Sequence, residues 1–218
     1  MKYEYLTFDC YGTLIDWKTG IISSVEKVVG RLPSPPTELM NAYLLAEKRE
    51  EGQYRKYREV LKRTFESLMG EMKLSLPGES SSRFAGSVPE WPAFNDTESS
   101  LRRLGERGYR RYILSNVDND VLQETIRRNG LQVDGTVTAE EVGSYKPSPG
   151  HWTRFFEKTG AKKQVVLHVA QSMYHDIIPA KQLGISSAWV NRYDEPLPAG
   201  AEPTFISDSL ENLVRMLG

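Results

Sequence analysis

The sequence predicts an α/β fold, a parallel sheet that carries helices on both faces. Short apolar segments alternate with longer segments of helical period along most of the 218 residues, and this alternation is typical of consecutive βα units. One block of helical pattern, residues 16–92, interrupts the alternation after the first strand. We therefore expect a core domain formed by residues 1–15 and 93–218, with residues 16–92 inserted as a helical cap domain.

Five apolar segments predict the strands of the sheet. They lie at residues 3–8, 109–114, 165–169, 188–190 and around 205. The third segment contains His168, which we expect to be a core histidine with a hydrogen-bond partner. Strands of this kind, joined by helical connections, form a Rossmann-like sheet.

Apolar residues at helical spacing predict the helices. In the cap they predict a helix ended by Gly30 and Pro33, a second helix around residues 39–46, and a third over 57–72. Residues 77–92 are rich in Ser, Gly and Pro and predict a loop with at most one short helix. In the core the predicted helices lie at 97–105, 121–129, 152–160, 177–183 and 209–217. The aspartates next to helix starts are predicted to be caps: Asp16, Asp96, Asp118 and Asp120.

The composition restricts the functions that the chain can have. Its 28 basic and 29 acidic residues are interspersed, so we expect neither a nucleic-acid-binding nor a membrane-binding surface. Cys10 is the single cysteine of the sequence, which excludes an intrachain disulfide and fits a reducing cytoplasm. We expect no secretion signal, because the first residues run directly into a strand-like segment. These features fit a cytoplasmic protein with a small-molecule substrate, and a homodimer is compatible with them.

Four segments near predicted strand ends carry polar residues, and ligands bind at the carboxyl ends of parallel strands. These segments are residues 9–13, 115–120, 145–147 and 170–176. An isolated aspartate at such a place most often caps a helix or a turn. Asp9 differs, because Gly12 and Thr13 follow it in a loop whose amides can hold an anion, and Lys146 supplies a counter-charge. We therefore predict that Asp9 is a nucleophile that forms a covalent intermediate.

Four short motifs, in the correct order, resemble those of the haloacid dehalogenase superfamily. Residues 8–14 (FDCYGTL) resemble the first motif and residues 114–116 (LSN) the second. Residues 146–147 (KP) resemble the third motif, and the segment that ends at Asp176 resembles the fourth. The helical insertion resembles the cap domain of that superfamily. The resemblance therefore implies a hydrolase with the α/β core and the cap predicted above.

At two positions the sequence resembles one subfamily more than the phosphatases of the superfamily. Phosphatases of the superfamily carry a second aspartate two residues after the nucleophile, where this chain has Tyr11. They also carry an acidic Mg²⁺ ligand where this chain has Gln171. Both departures match the L-2-haloacid dehalogenases, which need no metal, so the resemblance implies no cofactor. Mg²⁺ is expected only under the alternative of a phosphatase.

In the mechanism that the resemblance implies, Asp9 displaces halide from C2 of a 2-haloacid with inversion, and water then attacks the carbonyl carbon of the ester. Lys146 would lower the pKa of Asp9, by about 1–3 units for an adjacent cation. Asp176 would position Lys146 or take a proton from the water. Roles in binding the nucleophile, the substrate or the water would fall to Tyr11, Thr13, Ser115, Asn116, Gln171 and Ser172.

The cap is where the chain departs from that subfamily. The dehalogenases receive the departing halide on an arginine of the second cap helix, and the corresponding positions here are 43–44, Tyr and Leu. Arg49, Arg55 and Arg58 lie nearby. A solvated helix face is the simpler explanation for each of them, with partners among Glu50, Glu51 and Glu59. Two alternatives stay open: a Mg²⁺-dependent phosphatase of the same fold, and a binding protein that keeps the pocket without catalysis.

Several further residues are expected to be structural. Trp152 replaces a family tyrosine six residues beyond Lys146. His175 is expected at the surface, at the start of a helix. The cap aromatics lie at helical spacing, which is more typical of a packed core than of a site: Trp17, Tyr43, Tyr54 and Tyr57.

Overall fold

The computed structural model describes residues 2–50 and 54–218, and these form one parallel sheet with helices around it. The strands are β1 (Tyr5–Phe8), β2 (Arg110–Ser115), β3 (Gly135–Thr138), β4 (Val166–Ala170), β5 (Ser186–Val190) and β6 (Phe205–Ser207). Their order across the sheet is β3-β2-β1-β4-β5-β6, and each neighbouring pair is parallel. The predicted α/β fold is confirmed.

Ten α-helices lie within the described residues. They are α1 (Trp17–Val29), α2 (Pro36–Glu50), α3 (Tyr57–Glu71), α4 (Ser80–Gly86), α5 (Thr97–Glu106), α6 (Asn119–Arg128), α7 (Ala139–Val142), α8 (Gly150–Thr159), α9 (Ile178–Gln182) and α10 (Leu210–Met216). Each helix predicted in the core is present. Across residues 2–50 and 54–218, no helix has both the length and the apolar character needed to cross a bilayer.

Two apolar layers cover the two faces of the sheet, because successive side chains of a strand point to opposite faces. Leu6 and Phe8 of β1 belong to the layer that includes α5, α6 and α10. Tyr5 belongs to the other layer, where its ring meets that of Phe155 on α8 edge to face. The sheet is therefore buried on both sides, as a parallel sheet requires.

Strand β3 was not predicted from the sequence. It has four residues, of which only Val137 is a large apolar side chain, and its edge position leaves it with β2 as its one neighbour. A short strand at the edge of a sheet needs fewer apolar residues than a central strand. Because α7 follows β3 directly, Lys146 reaches the site from the loop after α7 rather than from a strand end.

Helices α1–α4 form the predicted cap. Ile15 and Ala93, which flank the cap helices in the sequence, form an antiparallel bridge. Helix α1 begins after Asp16, whose carboxylate accepts the N–H of Thr19 at 3.2 Å, as predicted. The predicted loop at 77–92 contains the short helix α4 and a single 3₁₀ turn.

Two aspartates that were predicted to cap the next helix bind the start of a different one. Asp118 precedes α6, yet its carboxylate accepts the N–H groups of Tyr57 and Arg58 at the start of α3, at 2.9 and 3.0 Å. Asp96 precedes α5, yet its carboxylate accepts the N–H of Leu210 at the start of α10, at 2.8 Å. The predicted partners were wrong, because local sequence does not show which helix start lies nearby. Asp118 thereby joins the cap to the core.

Candidate active site

Asp9 lies directly after β1, where the strand order of the sheet reverses between β1 and β4. It is 8 % exposed, and its Oδ1 accepts from Lys146 Nζ at 2.9 Å while Oδ2 accepts from Thr13 Oγ1 at 2.8 Å. The turn between them depends on Gly12, whose φ of +103° favours glycine. A Cβ at that position would also lie 3.1 Å from Trp17 Nε1. The turn therefore brings the Thr13 hydroxyl back to the carboxylate.

Lys146 is buried and uses all three of its protons. Its Nζ donates to Asp9 Oδ1 at 2.9 Å, to the Leu114 carbonyl at 2.9 Å and to Asp176 Oδ1 at 2.6 Å. Asn116 holds the backbone of Lys146 from both sides, accepting its N–H at 2.7 Å and donating to its carbonyl at 3.1 Å. Asn116 thus positions Lys146, whereas the sequence predicted donation to Asp9 or to the substrate.

Asp176 follows β4 within a single turn of π-helix (Met173–Ile177). Besides Lys146, its Oδ1 accepts from His168 Nε2 at 2.9 Å, and His168 Nδ1 lies 2.9 Å from Thr7 Oγ1. His168 is the core histidine that was predicted, but its bond to Asp176 was not. Asp176 Oδ2 is buried and has no hydrogen-bond partner among the described residues. That oxygen is free to accept from water or substrate.

The three buried ionisable groups shift one another's pKa. Burial raises the pKa of Asp9 and nearby Asp176 adds to the rise, which outweighs the opposing effects of Lys146 and Thr13. Burial also opposes ionisation of Asp176, but Lys146 and His168 hold its pKa below the usual range. Burial disfavours the charged form of Lys146, yet the two carboxylates raise its pKa. The predicted lowering of the Asp9 pKa is therefore wrong in direction, because burial outweighs the effect of an ammonium that Asp9 shares with Asp176.

A cavity of about 240 Å³ separates this cluster from the cap. Its core side is lined by Asp9, Tyr11, Ser115, Asn116, Val117, Lys146, Gln171, Ser172, His175 and Asp176. Its cap side is lined by Trp17, Leu44, Glu47, Tyr57 and Trp91. Every site residue predicted from the sequence borders this cavity except Thr13, which bonds to Asp9 instead.

The predicted polar residues differ in the atoms that they present to the cavity. Ser115 Oγ is buried and without a partner among the described residues, so it can donate to a substrate. Tyr11 presents its ring, because its hydroxyl is hydrogen-bonded to Thr125 Oγ1 at 2.8 Å. The side-chain amide of Gln171 donates to Glu195 at 3.1 Å rather than towards Asp9.

Ser172 and His175 form one unit at the edge of the cavity. Ser172 Oγ accepts the N–H of His175 at 3.1 Å and lies 3.2 Å from its Nδ1. Burial lowers the pKa of His175, so its imidazole is neutral at neutral pH. The predicted surface position of His175 was wrong, since the residue is half-buried and lines the cavity.

Sequence reasoning missed Glu47 on α2. Its Oε1 accepts from the hydroxyl groups of Tyr43 at 3.0 Å and Tyr57 at 2.9 Å. Burial raises the pKa of Glu47, and the two hydroxyl groups oppose the rise. The available signal was the four-residue spacing between Tyr43 and Glu47, which places both on one face of a helix.

The cap arginines pair away from the cavity. Arg49 pairs with Glu71, Arg55 with Glu50 at 3.2 Å, and Arg58 with Asp120 at 2.9 Å. The solvated-face explanation holds for each, although Glu50 is the only partner that the sequence predicted. Glu51, another of the predicted partners, lies outside the described residues.

The cap side of the cavity is mostly aromatic. Trp17 and Tyr57 were expected in the core of the cap, but both border the cavity, together with Trp91. Tyr43 is buried inside the cap as expected. Tyr54 lies against Tyr145 of the core, with ring centroids 5.4 Å apart.

Known proteins resemble this chain along nearly its whole length. Residues 6–190 match the model of the family described as haloacid dehalogenase-like hydrolase. Haloacetate dehalogenase H-2 of Moraxella sp. (strain B) is 25 % identical over 227 residues, 99 % of this chain and 98 % of that protein. The structure of L-2-haloacid dehalogenase from Xanthobacter autotrophicus, with chloropropionic acid covalently bound, is 20 % identical, with a TM-score of 0.87 over 99 % and 98 % of the two chains. A pyrimidine 5'-nucleotidase of Escherichia coli (strain K12) is 30 % identical over 108 residues, about half of each chain (48 %).

The site combines a carboxylate–lysine–carboxylate cluster with a helical cap above it. The cluster lies where the strand order of the parallel sheet reverses, and this arrangement defines the class of capped α/β hydrolases. The matching segment, residues 6–190, includes the whole cap and all four motifs. The chain belongs to the haloacid dehalogenase-like hydrolase family.

Proposed function

We propose that the protein is a dehalogenase that converts a small 2-haloacid to a 2-hydroxy acid through an ester on Asp9. A carboxylate oxygen of Asp9 attacks C2, and the C2–halogen bond breaks with its electron pair leaving on the halide, so that C2 inverts. Water then attacks the carboxyl carbon of the ester and the bond from that carbon to the product oxygen breaks, while one proton of the water passes to the product oxygen and the other to solvent. The product leaves with the oxygen that Asp9 supplied, and Asp9 keeps one oxygen from water.

The observation that carries this proposal is the environment of Tyr11. An alkoxide leaving group needs a proton, and the residue two positions after Asp9 is the place from which phosphatases of this superfamily supply it. Here that residue is a phenol hydrogen-bonded to Thr125, and burial raises its pKa well above the usual value. A halide leaves as a stable anion and needs no proton. The site therefore favours cleavage of a carbon–halogen bond.

Asp176 and Ser115 supply the remaining polar groups. The lowered pKa of Asp176 makes it a weak base, so it orients the hydrolytic water by accepting a hydrogen bond at its free Oδ2. Ser115 Oγ donates to the carboxylate of the substrate. Lys146 stays charged throughout and keeps Asp9 and Asp176 at fixed positions.

We also propose that the reaction needs no metal. Mg²⁺ prefers an octahedron of oxygen ligands. Both carboxylates here accept from Lys146, and the amide of Gln171 is bonded to Glu195. In residues 2–50 and 54–218, no three side chains of His, Cys, Asp or Glu are placed to hold a metal ion. This donor set does not fit Mg²⁺.

One panel of assays tests the proposal. The protein is incubated with 2-chloropropionate and with p-nitrophenyl phosphate, each with Mg²⁺ and with a chelator. We expect chloride release that the chelator leaves unchanged, that Asp9→Asn abolishes, and that the exposed control Asp208→Asn retains. Phosphate release that the chelator abolishes would replace this proposal with a phosphatase. No turnover of any haloacid or phosphate ester would favour a binding protein.

A further inference from the structure

Helix α2 of the cap places a second carboxyl group, that of Glu47, at the cavity that Asp9 also borders. Glu47 Oε1 is fixed by the hydroxyl groups of Tyr43 and Tyr57, at 3.0 and 2.9 Å. In the part of the chain that the structure describes, Glu47 Oε2 makes no hydrogen bond. One oxygen is therefore held in place while the other stays free beside the substrate space.

The charge of the cavity decides which form of Glu47 suits the reaction. Lys146 is the one cation among the described residues that line the cavity, and its three protons are already donated to Asp9, Leu114 and Asp176. The substrate carboxylate and the departing halide are both anions. An ionised Glu47 would repel both, whereas a neutral carboxyl group has an O–H to donate.

The surroundings of Glu47 favour the neutral form. Burial raises its pKa against the effect of the two tyrosine hydroxyls, and it forms no ion pair with any described residue. The other titratable groups at this cavity are Asp9, Tyr11, Tyr57, Lys146, His175 and Asp176. An outer cleft that Glu47 also borders adds Lys48, Tyr54, Tyr145 and Tyr174. Lys146 is balanced by its own two carboxylates, so it does not hold Glu47 ionised.

We propose that Glu47, as the neutral acid, donates a hydrogen bond from Oε2 to the halogen that leaves C2 of the substrate. It would take the place of the cap arginine on which the dehalogenases receive the departing halide and which this chain lacks at the corresponding positions. In this step the bond from Asp9 to C2 forms, the C2–halogen electron pair passes to the halide, and the proton stays on Glu47. The hydrogen bond strengthens as charge develops on the halogen, so it stabilises the transition state more than the bound substrate. This inference rests on the proposed dehalogenation.

Three variants test the role of Glu47. Glu47→Gln keeps a neutral donor that cannot ionise, Glu47→Ala removes the donor, and Glu38→Gln is a matched control at an exposed position of the same helix. Release of chloride from 2-chloropropionate and of bromide from 2-bromopropionate is measured as kcat/KM across the pH range in which each variant stays folded. Thermal unfolding of each variant confirms that range.

We expect kcat/KM of the unaltered protein and of Glu38→Gln to fall as the pH rises through the pKa of Glu47. The kcat/KM of Glu47→Gln should stay within about tenfold of that of the unaltered protein. It should not fall at alkaline pH, because the amide donor of Gln does not titrate. The kcat/KM of Glu47→Ala should be roughly 100-fold lower than that of the unaltered protein, as for removal of one transition-state donor. The loss of kcat/KM in Glu47→Ala should be larger for 2-chloropropionate than for 2-bromopropionate, since chloride is the poorer leaving group and needs more stabilisation. In quenched samples Glu47→Ala should slow formation of the Asp9 ester but not its hydrolysis.

Three results would overturn the inference while leaving the proposed function intact. The first is an alkaline fall of kcat/KM that persists in Glu47→Gln, and the second is an effect of Glu47→Ala that is equal for chloride and bromide. The third is faster halide release by Glu47→Gln at every pH, which would make Glu47 a repelling anion. Absence of halide release by the unaltered protein would overturn the proposed function and this inference together.

Discussion

The core side and the cap side of the cavity are built in opposite ways. On the core side Lys146 donates all its protons and both oxygens of Asp9 accept, so the proposed nucleophile is held before substrate arrives. On the cap side Glu47 is held through one oxygen only, among aromatic rings. The core side keeps the family motifs, while the cap side departs from the family arginine. Under the proposed function, the core would determine the nucleophilic chemistry and the cap would determine which group leaves.

The largest expected effect on stability comes from removing the ammonium group of Lys146 from the core side. Lys146→Met leaves the carboxylates of Asp9 and Asp176 buried without their shared cation, which should cost about 3–5 kcal/mol of unfolding free energy. Chemical denaturation measures this. Lys27→Met is the control, because the exposed pair of Lys27 with Glu90 should contribute less than about 1 kcal/mol. Equal effects of the two substitutions would contradict a tightly coupled core side.

A smaller effect is expected where the core holds the cap. Asp118→Ala removes the acceptor for two N–H groups at the start of α3, which should cost about 1–2 kcal/mol. Hydrogen exchange should become faster at Tyr57 and Arg58, as the cap loosens. Asp120→Ala is the control, since Asp120 is exposed and accepts from the side chain of Arg58 and from the N–H of Val121 in its own helix, but from no N–H at the start of α3 among the described residues. Unchanged exchange in Asp118→Ala would show that the cap is held elsewhere.

A pH series tests whether buried and exposed carboxylates contribute to stability with opposite pH dependence. Because the pKa of Asp9 is raised on folding, the stability that Asp9 contributes is present in acid and is lost as the pH rises through its folded pKa. Asp9→Asn does not titrate, so its stability relative to the unaltered protein should increase with pH over that window. Unfolding free energies at several pH values measure the trend.

The control for this pH series is the exposed residue Asp208, whose pKa is lowered by hydrogen bonds from Ser209 and Asn212. Its contribution to stability is present above the ordinary pKa of aspartate and is lost in acid. Asp208→Asn should therefore lose stability relative to the unaltered protein as the pH rises, the opposite sign to Asp9→Asn. The same sign in both variants would contradict the assignment of burial as the cause at Asp9.

The smallest expected effect is at the hydroxyl of Tyr11, which faces Thr125 rather than the substrate. Tyr11→Phe should reduce the unfolding free energy by about 1 kcal/mol and change kcat by less than a few-fold, because the ring that lines the cavity remains. Tyr174→Phe, at an exposed position, is the control. A large loss of kcat with Tyr11→Phe would indicate that the phenol takes part in catalysis.

Asp9 and Asp176 could be found from the sequence because they follow predicted strands, whereas Lys146, in the loop after α7, was found through its resemblance to the third motif. Asp9 and Asp176 could be placed at one site because β1 and β4 end side by side, a property of parallel sheets in general. Glu47 could not be found in the same way, because its meaning depends on which residues the cap brings over Asp9. The remote helix that Asp118 caps and the bond between His168 and Asp176 were hidden for the same reason. Each depends on a tertiary contact that no local pattern specifies.

Isotope transfer during a single turnover tests the central claim most directly, that Asp9 attacks carbon and water attacks the resulting ester. Excess protein is mixed with 2-chloropropionate in H₂¹⁸O, and the product and the peptide that contains Asp9 are analysed by mass spectrometry. We expect an unlabelled 2-hydroxy acid and one ¹⁸O atom in the carboxyl group of Asp9. Label in the product of the first turnover, with none in Asp9, would mean that water attacks the substrate directly and would contradict it.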